Sequence, residues 1–219
     1  MLFRSLETIL GIGMALVMAK DFHGRGLLRA AVLVPWAIPT AITAKLWAFL
    51  FSEQGIVNSI FHAHVAWQTD PWAARFSIIL ADVWKTTPFM ALLILAGLQM
   101  IPKDLYEAAR MDGANAWQRF TRITLPLAKN SIIVAVLFRM LDALRMYDLP
   151  YIMVGPNPDS PTATLSQLVV AAIRQDHVNA ASALSTLIFL LIFLIALCFV
   201  KSLGSKVAHQ AEPVVAEEE

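Results

Sequence analysis

The sequence predicts an all-α integral membrane protein, and three observations carry that reading. Of its 219 residues, 58% are hydrophobic and 15% charged, against about 25% charged in a soluble domain. The mean hydropathy is +0.64. The apolar residues also collect in runs close to the roughly 20 residues a helix needs to cross a bilayer, and one polar block, 102–126, lies between two such runs. A net charge of +1 argues against nucleic acid as a partner. The single cysteine, Cys198, sits in an apolar run, so it has no partner for an internal disulfide and its expected role is packing.

Five spans are expected. Residues 3–19 form the weakest of them; their Arg4, followed by an apolar run, mimics a secretory signal, but they lack a small-residue cleavage site and flow directly into a basic loop at 20–29. Residues 30–51 are long enough to cross but contain Lys45, Pro35 and Pro39, so a kinked span is expected. An outer loop, 52–75, carries His62 and His64 without a cysteine or carboxylate cluster, and no metal site is expected from a pair where zinc takes about three or four ligands. Residues 76–101 form a third span, with Asp82, Lys85 and Pro88, and 127–150 a fourth, with Arg139, Asp142, Arg145 and Asp148. A turn-rich outer segment follows, in which Thr162 or Thr164 can cap a short helix whose Leu165, Leu168, Val169, Ala172 and Ile173 share one face. That helix is placed on the outer rim, where a solute-delivering protein could dock. The span 180–200 has no charge, and the tail 204–219, ending in three glutamates, has too little apolar content to fold and reads as a disordered cytoplasmic extension.

The block 102–126 is expected to form a compact pair of short helices. Pro102 suits a helix start, 103–111 favours helix, and Gly113 is a natural left-handed stop. A second short helix is expected over 114–121, with Pro126 opening the next span. Lys and Arg fix the orientation. With this block inside, the inner segments hold Lys20, Arg25, Arg29, Lys103, Arg110, Arg119, Arg122, Lys129, Lys201 and Lys206, and the outer ones only Arg4, Arg75 and Arg174. The C-terminus is therefore expected in the cytoplasm. Residue 1 then falls outside, against the positive-inside tendency at Arg4, and the expectation is that a leader helix normally precedes these five spans.

Ionisable groups at membrane depth are costly and count as functional candidates. Asp82 and Lys85, Arg139 and Asp142, and Arg145 and Asp148 are each three residues apart, so each pair can meet on one helix surface. They either lock helices together as neutral pairs or line a shared polar cavity, in which carboxylates and arginines grip sugar hydroxyls and Trp84 or Phe89 stacks on the ring. A stand-alone intramembrane enzyme or channel using the same charges is the alternative. Against an acid catalyst, each aspartate has a basic neighbour that holds it ionised. No Gly-x-x-x-x-Gly-Lys-Ser/Thr loop is present to cradle ATP phosphates.

Glu107, Ala108, Ala109, Gly113, Ile123, Leu125 and Pro126 resemble, residue by residue, the EAA motif of ABC importer permeases. Gly24-Arg25-Gly26, the run Val34-Pro35-Trp36-Ala37-Ile38-Pro39, the stretch from Tyr147-Asp148-Leu149 to Gly155, and Ala181-Ser182-Ala183-Leu184-Ser185 look like the carbohydrate-type members. The resemblance spans nearly the whole chain to Leu203, although the turn at 150–156 is less glycine-rich than is common in the family. It implies a type I permease core of five helices over 1–203 in the plasma membrane. Glu107, Ala108, Ala109, Arg110, Asp112, Gly113 and Phe120 would couple to an ATPase. Asp82, Lys85, Phe89, Arg139, Asp142 and Arg145 would serve the solute pathway, since the family's sugar site lies in the helices flanking the motif. Implied partners are a second permease, two ABC ATPases that hold ATP and magnesium, and an extracytoplasmic solute-binding protein. No cofactor is expected in this chain. The implied solute is a sugar, a disaccharide such as trehalose.

Overall fold

A computed structural model of the chain describes residues 2–62, 64–157 and 160–211. Among them every regular element is helical. The first helix, α1 (Leu2–Ala19), leads through a short loop into α2 (Arg25–Ala37) and α3 (Thr40–Leu50). Then α4 (Ile56–Phe61) precedes the long α5 (Pro71–Gln99). The polar block forms α6 (Lys103–Met111) and α7 (Ala116–Arg119), which continues through a π turn at Phe120–Thr124 into α8 (Leu125–Leu144). The outer segment holds α9 (Asp148–Val154) and α10 (Leu165–Arg174), and α11 (Val178–Ala211) closes the chain.

The central helix is α5, flanked by α1 and α8. Its start is fixed locally: the Asp70 side chain accepts from the Trp72 and Ala73 amides at 3.0 and 2.8 Å, and Pro71 occupies the first turn, where a missing N–H costs nothing. Pro88 lies inside this helix and cannot donate to the turn before it. Around that break Thr86 and Thr87 turn their hydroxyls back onto the carbonyls of Asp82 and Val83, both at 2.6 Å. Small residues bring the neighbours close. A Cβ on Gly11 would stand 3.3 Å from the Met90 Cβ, and one on Gly97 would collide with the Ser131 side chain. Such contacts suit a membrane interior, where close backbone approach replaces hydrophobic driving force. Ala15, Met18, Met90, Ala91, Ile94, Leu95 and Ala135 form the resulting buried core.

Three expectations need correction. The kink expected in residues 30–51 is a full break: α2 and α3 meet at 84° across Ile38–Pro39. Pro39 forces the residue before it into extended backbone, and Ile38 sits at φ −69°, ψ 133°. Pro35, by contrast, is carried within α2. The fourth span ends at Leu144 rather than 150, so Asp148 opens a separate helix. Residues 204–211 of the expected mobile tail are helical as the end of α11, while 212–219 lie outside the described residues. By length and composition α5, the continuous helix 116–144 and α11 can each cross a bilayer, the α2–α3 pair is either a broken span or a re-entrant loop, and α1 is a shorter apolar helix. No residue in the most apolar stretch of α11 is fully buried within the chain, so much of that helix faces lipid or another subunit.

Gly97→Ala should force α5 and α8 apart and cost about 1–3 kcal/mol. Thermal unfolding in detergent should show the loss, and adding Ser131→Gly should recover most of it.

Candidate functional site

The charges within the spans converge between helices, and one expected pair within a helix, Arg139 with Asp142 on α8, is part of that cluster. Arg139, on α8, is 1% exposed, as is Glu7 on α1. The Arg139 guanidinium grips Glu7 with two donors: Nε to Oε2 at 3.2 Å and Nη2 to Oε1 at 3.0 Å. Nη2 also donates to Asp82 Oδ2 of α5 and Nη1 to Asp142 Oδ2 of α8, both at 2.7 Å. One cation thus ties three helices together in a low-dielectric interior, where charge-assisted bonds are strong and an unpaired charge is costly. Asp142 reaches outward as well, with Arg145 Nη2 at 3.7 Å from its other oxygen. Exposure rises along this chain of charges, from 2% for the Arg139 side chain and 15% for Asp82 to 53% for Asp142 and 72% for Arg145.

The outer end opens into a cleft of about 200 Å³ lined by Thr40, Asp82, Lys85, Thr86, Asp142, Arg145 and Asp148, with Met146, Tyr147 and Leu149 as its apolar part. Four of the six expected pathway residues, Asp82, Lys85, Asp142 and Arg145, therefore share one cavity. Arg139 lies behind it as the anchor. Phe89 is not in the lining; it stacks on Trp36, with ring centroids 5.3 Å apart. Lys85 reaches across to the end of α2. Its ammonium caps the break between α2 and α3, donating to the carbonyls of Trp36 and Ile38, which have lost their helical partners. Asp148 makes no ion pair with Arg145 among the described residues.

Two polar atoms on α3 are buried without a partner among the described residues: Thr43 Oγ1 and Trp47 Nε1, one turn apart. Glu7 was not singled out from the sequence. Its signal was present, since it is the sole acid in the first apolar run.

The polar block has the anticipated start. Helix α6 spans 103–111 and Gly113 takes φ +78°. The second helix begins later than expected, at Ala116. Asn115 and Gln118 form a reciprocal cap there, with bonds of 2.8 and 2.9 Å. Rather than stopping before Pro126, this helix runs on to Leu144 through the π turn. Tyr106 of α6 meets Thr124 of that turn at 3.0 Å, tying the two arms of the block. Glu107 and Arg110 line the cavity between α6 and α1, whereas Trp117, on the other arm, is exposed. Asp21, in the loop after α1, bonds Lys103 at 3.2 Å and pairs with Arg25. The Lys103 hydrogen bond and charge, with Arg25 and Arg29 adding, hold its carboxyl below the usual range.

A polar helix pair inserted between two apolar spans, with a charged cleft in those same spans, is the layout of an importer permease. The chain belongs to the family described as the binding-protein-dependent transport system inner membrane component, which matches residues 7–209. It is 46% identical over 202 residues to the trehalose/maltose transport system permease protein MalF of Thermococcus litoralis, covering 90% of this chain and 68% of that protein. It is 39% identical over 203 residues to the trehalose transport system permease protein SugA of Mycobacterium tuberculosis, covering 92% and 66%. The chain thus spans about two thirds of the length of these relatives. The fold matches a chain from the crystal structure of a bacterial ABC transporter that imports the acidic polysaccharide alginate. That match has a TM-score of 0.79 at 25% identity and covers 91% of this chain and 74% of the other.

Replacing Arg139 with Leu should strand the buried Glu7 carboxylate and destabilise the protein by about 3–5 kcal/mol. Thermal unfolding of Arg139→Leu and of the pair Arg139→Leu with Glu7→Leu checks this. The pair, which removes both charges, should be the more stable.

Proposed function

We propose that this chain is a permease subunit of an ATP-driven sugar importer and forms half of its translocation pathway. The observation that carries the reading is the charge-lined cleft, anchored through Arg139 to the helices on both sides of the polar block. Sugar hydroxyls need such a lining, because ionised groups hold them with strong directional bonds. A cleft of about 200 Å³ is below the roughly 300 Å³ at which ligand pockets begin, which suits a half-site completed by a second permease. The trehalose and maltose named for its relatives make a disaccharide the favoured solute.

In this reading the block 102–126 docks into an ATPase subunit. Glu107, Ala108, Ala109, Arg110, Asp112, Gly113 and Phe120 form the coupling surface, and ATP with magnesium is held by two partner ATPases. A solute-binding protein delivers sugar to the outer side, as supported by an alginate importer solved with its periplasmic protein. The basic residues place the block and the C-terminus in the cytoplasm. Closure of the ATPases on ATP moves the block, and α5 and α8 move with it because they bracket it directly. The bias comes from the ATPases' differential affinity for ATP in the two states.

Two substitutions test the two halves of this reading. Gly113 has open space where a Cβ would stand, so Gly113→Val acts through backbone strain alone, about 1–2 kcal/mol for the left-handed region. It should leave the protein inserted but uncouple solute-stimulated ATP hydrolysis from uptake in the reconstituted importer; intact coupling would reject the docking role. Asp142→Asn should raise the apparent KM for sugar uptake about tenfold, the worth of a hydrogen bond to a charged group. An unchanged KM in a stably folded variant would remove Asp142 from the pathway.

A further inference from the structure

We propose that the face of the molecule carrying the polar block holds a binding site for one anionic phospholipid, with its headgroup between α1, α2 and α6 and an acyl chain along the α1–α2 groove. A cavity of about 620 Å³ opens there between the end of α1, the start of α2, the end of α5 and α6. Its charged lining is Lys20, Arg25, Arg29, Lys103 and Arg110 against only Asp21 and Glu107. Much of that excess is unspent. Asp21 serves both Arg25 and Lys103, and Arg29 is turned onto the Met18 carbonyl at 2.8 and 3.2 Å. Lys20 and Arg110 make no ion pair among the described residues. A cavity with several bases and too few acids is complementary to a phosphate group.

The second half of the site is apolar. A groove of about 340 Å³ runs between α1 and α2, lined among others by Leu10, Gly13, Val17, Leu28 and Val32. The two cavities adjoin along the α1–α2 seam. On α1 Leu16, Ala19 and Lys20 line the first and Val17 and Met18 the second, on α2 Arg25 and Arg29 line the first and Leu28 and Val32 the second, and the Arg29 bond to the Met18 carbonyl lies between them. The basic end therefore lies at the helix termini, where a span meets the headgroups, and the apolar end points into the hydrocarbon. A soluble phosphate would use only the first half, whereas a phospholipid uses both. Because Glu107 and Arg110 line the headgroup cavity, an occupant there touches the coupling helix α6 directly. Lipid binding is independent of the transport reading; only its influence on coupling depends on it.

Native mass spectrometry of the purified chain, titrated with phosphatidylglycerol, phosphatidylcholine or inorganic phosphate, tests the site. Phosphatidylglycerol should be retained in preference to phosphatidylcholine. The pair Lys20→Gln and Arg25→Gln should weaken phosphatidylglycerol about thirtyfold, two interfacial charges at the usual worth of each, and leave phosphatidylcholine unchanged. A Cβ on Gly13 meets nothing within 4 Å, so Gly13→Leu can fill the groove without clash. It should lower phosphatidylglycerol retention while the thermal midpoint holds. Equal retention of the two lipids, or an unaffected charge variant, would overturn the proposal. Displacement by inorganic phosphate with no effect of Gly13→Leu would replace the lipid with a free anion and overturn it as well. Loss of coupling in Gly113→Val with no lipid preference would reject this site and leave the importer reading standing.

Discussion

The rest of the structure depends on one buried cation. Arg139 has four N–H groups engaged by carboxylates from α1, α5 and α8, and none of those helices can slide without stranding a charge. Buried ion pairs contribute little net stability, because desolvation offsets much of the attraction. What they impose is register. An apolar interface between membrane helices tolerates a slip of a turn, since lipid tails are as apolar as the side chains, but a guanidinium held by Glu7 in a fork does not. The three helices therefore behave as one body, and the polar block leaves that body at the end of α5 and returns to it at α8.

Lys85 sets a second constraint from the same central helix. The near right angle between α2 and α3 exposes carbonyls that a continuous span would have satisfied internally, and in a bilayer such groups need a partner from the protein. The Lys85 ammonium supplies it at Trp36 and Ile38. The break also brings Thr40, at the start of α3, to the rim of the cleft. A feature that looks like a defect in a span thus builds one wall of the cavity, and the lysine makes that irregular backbone tolerable at membrane depth.

Features set by local chemistry were legible in the sequence. The start of α6, the left-handed turn at Gly113 and the Thr164 cap of α10, with Gln167 reciprocating, each depend on residues within a few positions of one another. The charge partners were only partly legible. Spacing identified Arg139 with Asp142, but the same rule misassigned Asp148 and did not name the Trp36 and Ile38 carbonyls that Lys85 bonds, because i,i+3 geometry permits a contact without excluding a distant group. Nothing local to Arg139 names Glu7, far along the chain. The break at Pro39 was read as a kink, since a proline signals a lost hydrogen bond but not the angle that follows. Pro126 does lie in the first turn of α8, but no break precedes it. Wider π spacing just before it lets the helix carry on, with Thr121 and Thr124 hydroxyls bonding the Trp117 and Arg119 carbonyls at 2.9 and 3.4 Å.

Asp142 joins the two halves of the site. One of its oxygens is held by Arg139 and the other faces Arg145, so it belongs both to the interhelical lock and to the cleft. Its side chain is half exposed whereas that of Arg139 is buried, and a group entering the cleft meets Asp142 first. Any change in how Asp142 is hydrogen-bonded alters the share of charge that Arg139 must find from Glu7 and Asp82. Those residues sit on α1 and α5, so a single guanidinium links the rim of the cleft to the helix that leads into the polar block. A purely apolar contact could hold the same helices, but it would not fix Asp142 at the rim of the cavity, where its second oxygen is left to face Arg145.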